Sequence, residues 1–421
     1  GIANLTGGTG MDTFAFVNAA TLSGQLVGGN DTDLLDYSGY GSGVNMDLAS
    51  GAATAIYGGA VSGVSGIENL SGSAFHDVLV GDGGNNVLNG NAGQDDLNGG
   101  AGNDTYTFGV NWGTGDTIVD PSGSDTLTFA GFGSNLSFNL NTGSFNVTSG
   151  PNSVSNTGYQ IESLIGGNGN DTFDVNALAT ANLDGGPGSN TLDYSSYGSP
   201  VDLDLQLATV TGLTGNFTNI QTFIGGGNDT LVGYSIGNNF NITGPNSGNV
   251  NGTFTFSGVS DLTGSANADT FAFGNAGSLS GALSSGAGSD DSLTFAGTTT
   301  LRIITLDTGY GLNGFSGIGT GIGGFTGIDM LTGSNGLDTL TGANVVATFE
   351  VDGTNRYIVT PYALDFSGFE NLDGGNDQDT FQISGNQTAN LNGSDGNDDF
   401  IFADGANLIG SLIGGPDSDI L

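Results

Sequence analysis

The sequence predicts an all-β chain, a right-handed parallel β-solenoid with coils of about 18–22 residues and no long helices. Three observations lead there. A glycine-rich unit of nine residues recurs along the chain, each copy is followed by a short alternating strand, and glycine and β-branched residues occur throughout, which disfavours helices.

The composition sets the limits first. Of 421 residues 81 are glycine, far above the usual share of roughly 7%. Acidic residues number 42 against two basic ones, Arg302 and Arg356, so the formal charge is 2 − 42 = −40. Only Glu68, Glu162, Glu350 and Glu370 are glutamate, which leaves 42 − 4 = 38 aspartates. Lysine and cysteine are absent, and His76 is the single histidine. A chain this negative repels phosphates, so nucleic acid is excluded as a partner. Without cysteine there is no disulfide framework and no thiolate metal site. Most general acid–base and Schiff-base chemistry lacks its usual side chains. No apolar run approaches the roughly 18 residues of a membrane helix, so no membrane span is expected. Yet 36% of the residues are hydrophobic and 25 are phenylalanine, too many for an acidic disordered tail. Something buries those rings.

Repetition governs the chain. Sliding Gly10–Leu35 by 386 positions lays it on Gly396–Leu421 with 13 of 26 pairs identical, among them Phe14/Phe400 and Phe16/Phe402. LDYSGYGSGVNMDL (35–48) likewise returns as LDYSSYGSPVDLDL (192–205). Because both ends fall in one phase of the repeat, the sequence is expected to be a window on one continuous array, 1–421, within a longer chain.

The unit reads Gly-Gly-x-Gly-x-Asp-x-(apolar)-x. It is complete at GGTGMDTFA (7–15), GGAGNDTYT (99–107) and GGNGNDTFD (166–174). Between 71 and 106 four copies run in strict register: SGSAFHDVL, VGDGGNNVL, NGNAGQDDL and NGGAGNDTY. Glycine lets a six-residue loop turn tightly with its carbonyls inward. The aspartate adds a hard anionic oxygen to those carbonyls, and Ca²⁺ takes six to eight oxygen ligands at flexible angles. The candidate ligands are therefore Asp12, Asp33, Asp77, Asn86, Asp95, Asp104, Asp171, Asp229, Asp269, Asp338, Asp379, Asp398 and Asp419. The loop carbonyls of Gly81, Gly83, Gly90, Gly99, Ala101, Asn103, Gly166 and Asn168 complete the set. No catalytic residue is expected.

After each aspartate comes a strand of period two, as in Thr13-Phe14-Ala15-Phe16 and Thr105-Tyr106-Thr107-Phe108. Motif residues, with Asp125, Asn190 and Asp290 filling the series, are spaced near one or two multiples of about 20, read as one or two coils each. Stacked coils rise roughly 4.8 Å per layer, so some twenty would make a rod on the order of 100 Å with Phe14, Phe16 and their equivalents piled inside.

GGAGNDTYT and its neighbours resemble the RTX repeats, the hemolysin-type calcium-binding nonapeptides of secreted bacterial proteins. The looser units, such as 190–212 followed by IQTFIGGGNDTLVG (220–233), resemble the divergent repeats of giant bacterial surface proteins. The resemblance implies a parallel β-roll with Ca²⁺ held between successive turns, exported unfolded, ordering where calcium is abundant, and located outside the cell or on its surface. Asn86 and Asn190 depart from it by replacing the motif aspartate, and GGGNDT (225–230) is one residue short.

The function expected is a calcium-stiffened structural segment of an extracellular fibre, surface layer or long adhesin stalk. Its partners would be calcium, its own kind end to end or a continuation in one chain, and cell-surface or matrix polysaccharide. The alternative is a polysaccharide lyase or epimerase module, which needs an acid, a base and a cation that two distant arginines and one histidine do not assemble. Ice binding would need a regular outward Thr/Asn ladder, and GTGMD (8–12) and GTGDT (113–117) are isolated. His76 reads as a solvated loop residue, Trp112 as a core ring rather than a sugar platform. Arg302 and Arg356 read as local partners of acids. Sequons such as Asn69-Leu70-Ser71 follow from composition.

Overall fold

A strand of three residues cannot hold its shape alone, so it must be one rung of a ladder. The computed structural model describes residues 2–158, 161–311 and 313–421, and such rungs make up most of it. Two compact units are formed, residues 1–198 with 208–222, and residues 199–207 with 223–421. Each is a parallel β-solenoid. Among the described residues the only helix is a 3₁₀ turn at Tyr57–Gly59.

In the first unit one face is a nine-stranded parallel sheet. Thr13–Ala15, Leu34–Asp36, Asn69–Ser71, Val87–Asn89, Thr105–Thr107, Thr126–Thr128, Ser163–Ile165, Asn182–Asp184 and Phe217–Thr218 follow one another in chain order. The register never slips. Phe14, Leu35, Leu70, Leu88, Tyr106, Leu127, Leu164, Leu183 and Phe217 form one column of paired residues, all buried. A slip of one residue would turn the whole column to solvent, so the hydrophobic pattern fixes the pairing. The opposite face begins with Asn45–Asp47, Val78–Val80, Asp96–Asn98 and Thr114–Val119, where Met46, Leu79, Leu97 and Ile118 make the facing column.

The second unit repeats the design with larger side chains. Phe240, Phe271, Leu293, Leu331 and Phe366 form one column; Ile304, Leu340, Leu372, Leu391 and Leu412 form another. Rings stack face to face at the ladder spacing. Phe240 lies 4.8 Å from Phe271, Phe349 4.9 Å from Phe381, and Phe381 5.0 Å from Phe400, with planes within 9° of parallel. Such offset stacks add to the burial of the rings themselves.

The longer motif spacings have a different cause from the two coils expected. Four of them are coils enlarged by antiparallel strands. The first unit inserts the meander Ser137–Asn141, Ser144–Ser149, Asn152–Thr157. Its outer strands run parallel to Thr114–Val119 on one side and Thr172–Val175 on the other, so the ladder continues unbroken. The second unit holds three such meanders, beginning at Asn239, Ile303 and Ala347. Alternating polar and apolar residues in each match a sheet with one buried face.

The register makes ring stacking a measurable part of stability. Phe381→Ala, which breaks two stacks, should cost about 3–5 kcal/mol. Its outward neighbour Thr380→Ala should cost less than about 1 kcal/mol. Urea unfolding followed by far-UV circular dichroism measures both, and equal losses would contradict an interior of stacked rings.

Candidate metal centre

The residue that ends each glycine loop also begins the next strand, so its side chain sits where two coils meet. There the motif carboxylates do two things. One oxygen accepts a hydrogen bond from the backbone N–H of the equivalent residue one coil earlier: Asp12 to Asp33 at 2.7 Å, Asp77 to Asp95 at 2.9 Å, Asn86 to Asp104 at 2.7 Å, Asp379 to Asp398 at 2.8 Å and Asp398 to Asp419 at 3.1 Å. Asp171 accepts from Leu136, Asp229 from Val201, Asp269 from Asn238 and Asp338 from Arg302 in the same manner. At some of these residues the other oxygen caps its own loop. Asp171 Oδ2 accepts from Gly167 N at 2.7 Å, Asp269 Oδ2 from Ser265 N at 2.6 Å, Asp379 Oδ2 from Gly375 N at 2.6 Å, and Asp338 Oδ2 from Ser334 N.

The candidate ligands thus fall into columns. Asp12 leads to Asp33; Asn86 leads to Asp104; Asp77 leads to Asp95; Asp379 leads to Asp398 and Asp419. Asp229 follows Val201. All are buried except Asp12 and Asp419, which are half-exposed. Asn86 keeps its place as a neutral rung, its Nδ2 donating to Glu68 O, and Asn190 accepts from Asp171 N at 2.8 Å. In the short loop at 225–230 Asp229 still caps, taking Gly226 N at 2.5 Å. Asp291, not Asp290, takes the buried place in its repeat: it accepts from Asp269 N, while Asp290 is an exposed residue at φ +67°.

The two kinds of glycine in the loop serve different ends. Gly100 and Gly102 hold φ of +101° and +115°, where only glycine is unstrained. Gly99, the first of its motif, has no such backbone. A Cβ there would run into Asp104 Oδ2, so glycine is required by the carboxylate folded over it. The Gly99 carbonyl in turn presses against Gly81, beside the Asn86 amide, and that of Gly90 against Gly72, beside the Asp77 carboxylate.

The candidate ligand set leaves out several rungs of these columns, among them Asp125, which the spacing series already places in the motif. Asp116 continues Asp77 and Asp95, and Asp125 continues Asn86 and Asp104. Glu68, Glu162, Gln221 and Glu370 then accept from Asp33, Asp125, Asn190 and Asp338 at 2.7–2.9 Å, and Asp329 from Asp291 at 3.1 Å. A signal was present: Ile67-Glu68-x-Leu70, Ile161-Glu162-x-Leu164, Ile220-Gln221-x-Phe223, Ile328-Asp329-x-Leu331 and Phe369-Glu370-x-Leu372 share one pattern.

The other single residues settle simply. Trp112 is buried against Phe108, Phe129 and Phe132. His76 Nδ1 meets the Gln94 carbonyl, and Arg356 pairs with Glu350. Arg302 differs from the expected acid pairing. It is buried at the place where a motif aspartate would stand, its guanidinium donating to Thr320 O at 2.9 Å and lying 4.4 Å from the Phe295 ring centre.

Burying carboxylates without a cation raises their affinity for protons. Burial pushes Asp95 up to about 8, with Asp116 and Asp77 nearby adding to the rise. Burial likewise lifts Asp116 to about 6 and Asp379 to about 7. The Oδ2 atoms of Asp33, Asp95, Asp104, Asp116, Asp125, Asp291 and Asp398 are buried and have no hydrogen-bond partner. Orphaned anionic oxygens beside backbone carbonyls are the donor set a hard cation takes, so these residues fit Ca²⁺.

Fold and site together define a parallel β-solenoid whose glycine loops are capped by buried carboxylates. Residues 63–106 and 157–177 match the RTX calcium-binding nonapeptide repeat in four copies. No curated protein matches the chain.

Two outcomes follow from this geometry. Gly99→Ala should destabilise the fold by roughly 1–3 kcal/mol, because Asp104 is pinned and cannot make room. Denaturant titration reads it, and a neutral result would contradict the close approach. The unfolded chain ionises aspartate near 3.8, whereas the metal-free fold keeps protons on Asp95, Asp116 and Asp379 up to about 6–8. The fold therefore binds more protons across that window and loses stability as pH rises through it. In EGTA the urea midpoint should be higher at pH 5 than at pH 8; the opposite order would refute the assignment.

Proposed function

We propose that this chain is a calcium-stiffened structural segment of an extracellular fibre, surface layer or long adhesin stalk, secreted by a bacterium. The observation that carries the reading is the carboxylate ladder. Motif aspartates from Asp33 to Asp398 are buried and bound to backbone in the coil before them, as Asp33, Asp95, Asp171 and Asp398 show, so the acids build the scaffold rather than line an open cleft. The RTX match supports calcium as the ion. Outside a cell calcium is plentiful, and sites with affinities of about 10⁻⁴–10⁻³ M would fill there and stay empty during passage through the cytoplasm.

Calcium then acts as a folding ligand. Each ion bound only by the folded state adds stability by mass action, and many sites add together. It would also offset the charge of −40 that opposes a compact state. A parallel ladder lengthens by the addition of further coils, which supports continuation in one chain or end-to-end association. Polysaccharide of a cell surface or matrix is the surrounding such a segment would meet.

The experiment is a calcium titration of the EGTA-treated chain at pH 7.5, followed by far-UV circular dichroism and by urea midpoint. The expected result is strand signal, or a midpoint, that rises steeply with calcium in the millimolar range and is not reproduced by the same ionic strength of sodium. A chain whose signal and midpoint ignore calcium would rule the proposal out.

A further inference from the structure

One nonapeptide breaks its own rule. In DPSGSDTLT (120–128) the first glycine of the motif is replaced by Asp120, at the place where in the neighbouring repeat Gly99 makes room for the Asp104 carboxylate. The consequence is a third carboxylate brought between two motif acids. Oxygens of Asp104, Asp120 and Asp125 all lie within 4.8 Å of one another. The three side chains are 1%, 3% and 0% exposed.

The hydrogen bonds leave this group incomplete. Asp104 Oδ1 takes Asn86 N at 2.7 Å, and Asp125 Oδ1 takes Asp104 N at 2.7 Å. The second oxygens, Asp104 Oδ2 and Asp125 Oδ2, are buried and have no hydrogen-bond partner. Asp120 is held by Tyr106, whose hydroxyl donates to Asp120 Oδ2 at 2.7 Å while its oxygen accepts Gly99 N at 2.6 Å. Ser122 N donates to Asp120 Oδ1 at 3.3 Å. Neither arginine belongs to this unit, and its one histidine is engaged with the Gln94 carbonyl. Three buried carboxylates with two open oxygens and no basic side chain demand a compensating charge.

We infer that Asp104, Asp120 and Asp125 form a separate cation site, in which Asp120 supplies a carboxylate that the glycine-led repeats lack, and which binds Ca²⁺ more tightly than they do. Ligand charge is the main lever on calcium affinity among oxygen sites, so a third carboxylate sets this position apart from its neighbours. The same charge favours a trivalent lanthanide. Tyr106 is a positioning residue, since it orients Asp120 through its hydroxyl, and it is also an aromatic donor next to the site. The inference rests on the calcium reading above.

The test is a terbium titration of the full chain with tyrosine excitation, paired with calcium calorimetry. The wild type should show one class of sensitised Tb³⁺ emission that saturates before the rest and is displaced by Ca²⁺. Asp120→Asn keeps the shape of the side chain, and Asp120→Gly restores the residue the other repeats carry. Both should weaken this class roughly tenfold or more while the remaining calcium sites persist. Tyr106→Phe should dim the emission, and lose affinity too, by about tenfold or more, as loss of an orienting partner does. If a shared proton holds the three acids together, Asp120→Asn leaves terbium and calcium affinity unchanged, and the inference fails while the calcium reading stands. A wild type that binds no calcium at all would overturn the broader reading instead.

Discussion

The structure depends on one hydrogen bond, repeated from coil to coil: a buried side-chain oxygen accepts the backbone N–H of the equivalent residue in the coil before it. Strands of three residues supply few ladder bonds of their own, and the glycine loops between them have backbone groups with no sheet to satisfy them. The motif residue closes both gaps. It ties its loop internally, as Asp171 does to Gly167, and ties its coil to the previous one, as it does to Leu136. Stability in such an array is a sum of neighbour terms, so a bond at every interface matters more than any single strong contact.

That arrangement requires anions in the interior, and their charge must be met. The molecule shows more than one way of meeting it. Asn190 keeps the bond to the previous coil, Asn86 and Asn238 keep the cap on their own loop, and all three drop the charge. At Arg302 a side-chain cation is built in, its backbone N–H bonded to Asp338 and its two terminal guanidinium nitrogens donating to the Thr320 and Gly274 carbonyls beside the Phe295 ring. Elsewhere the orphaned Oδ2 atoms leave protons or a metal as the remaining choices. A hard divalent cation would bring two charges and take the carbonyls of both loops, which suits those oxygens.

Much of this was legible in the residues. The Gly-Gly-x-Gly-x-Asp spacing and the Thr-Phe-Ala-Phe alternation led directly to parallel coils with Phe14 and Phe16 inside, and both rings are buried. The position of each motif acid at the head of a strand was equally readable. What the spacing could not separate was two coils from one enlarged coil, because an inserted meander also adds about 20 residues. The meanders of 137–157 and 347–367 alternate polar and apolar residues just as the coil strands do, and their antiparallel sense has no local signature. The reason for the first glycine was also misplaced. Conformational freedom explains Gly100 and Gly102, but Gly99 is set by a contact across the loop that only three dimensions reveal.

The glutamates show why a ladder built on aspartate changes its side chain at certain rungs. Glu68, Glu162 and Gln221 stand where the chain returns after a long excursion and no glycine loop precedes the strand. There the returning residue donates its own N–H to the carbonyl of the previous rung: Glu68 to Asp33 at 3.3 Å, Glu162 to Asp125 at 3.0 Å and Gln221 to Asn190 at 3.0 Å. Its side chain must then fold back to accept the N–H of that same residue, closing a reciprocal ring like the one that caps a helix start. Glutamate and glutamine close that ring at a shorter distance than aspartate does. Asp329 makes the point by exception: its N–H donates to Asp291 O at 2.9 Å, but its shorter side chain reaches Asp291 N only at 3.1 Å, against 2.7–2.8 Å for Glu68, Glu162 and Gln221. Three of the four glutamates in a chain of 38 aspartates therefore hold ladder rungs, and in Glu68 and Glu162 the ring geometry accounts for the longer side chain.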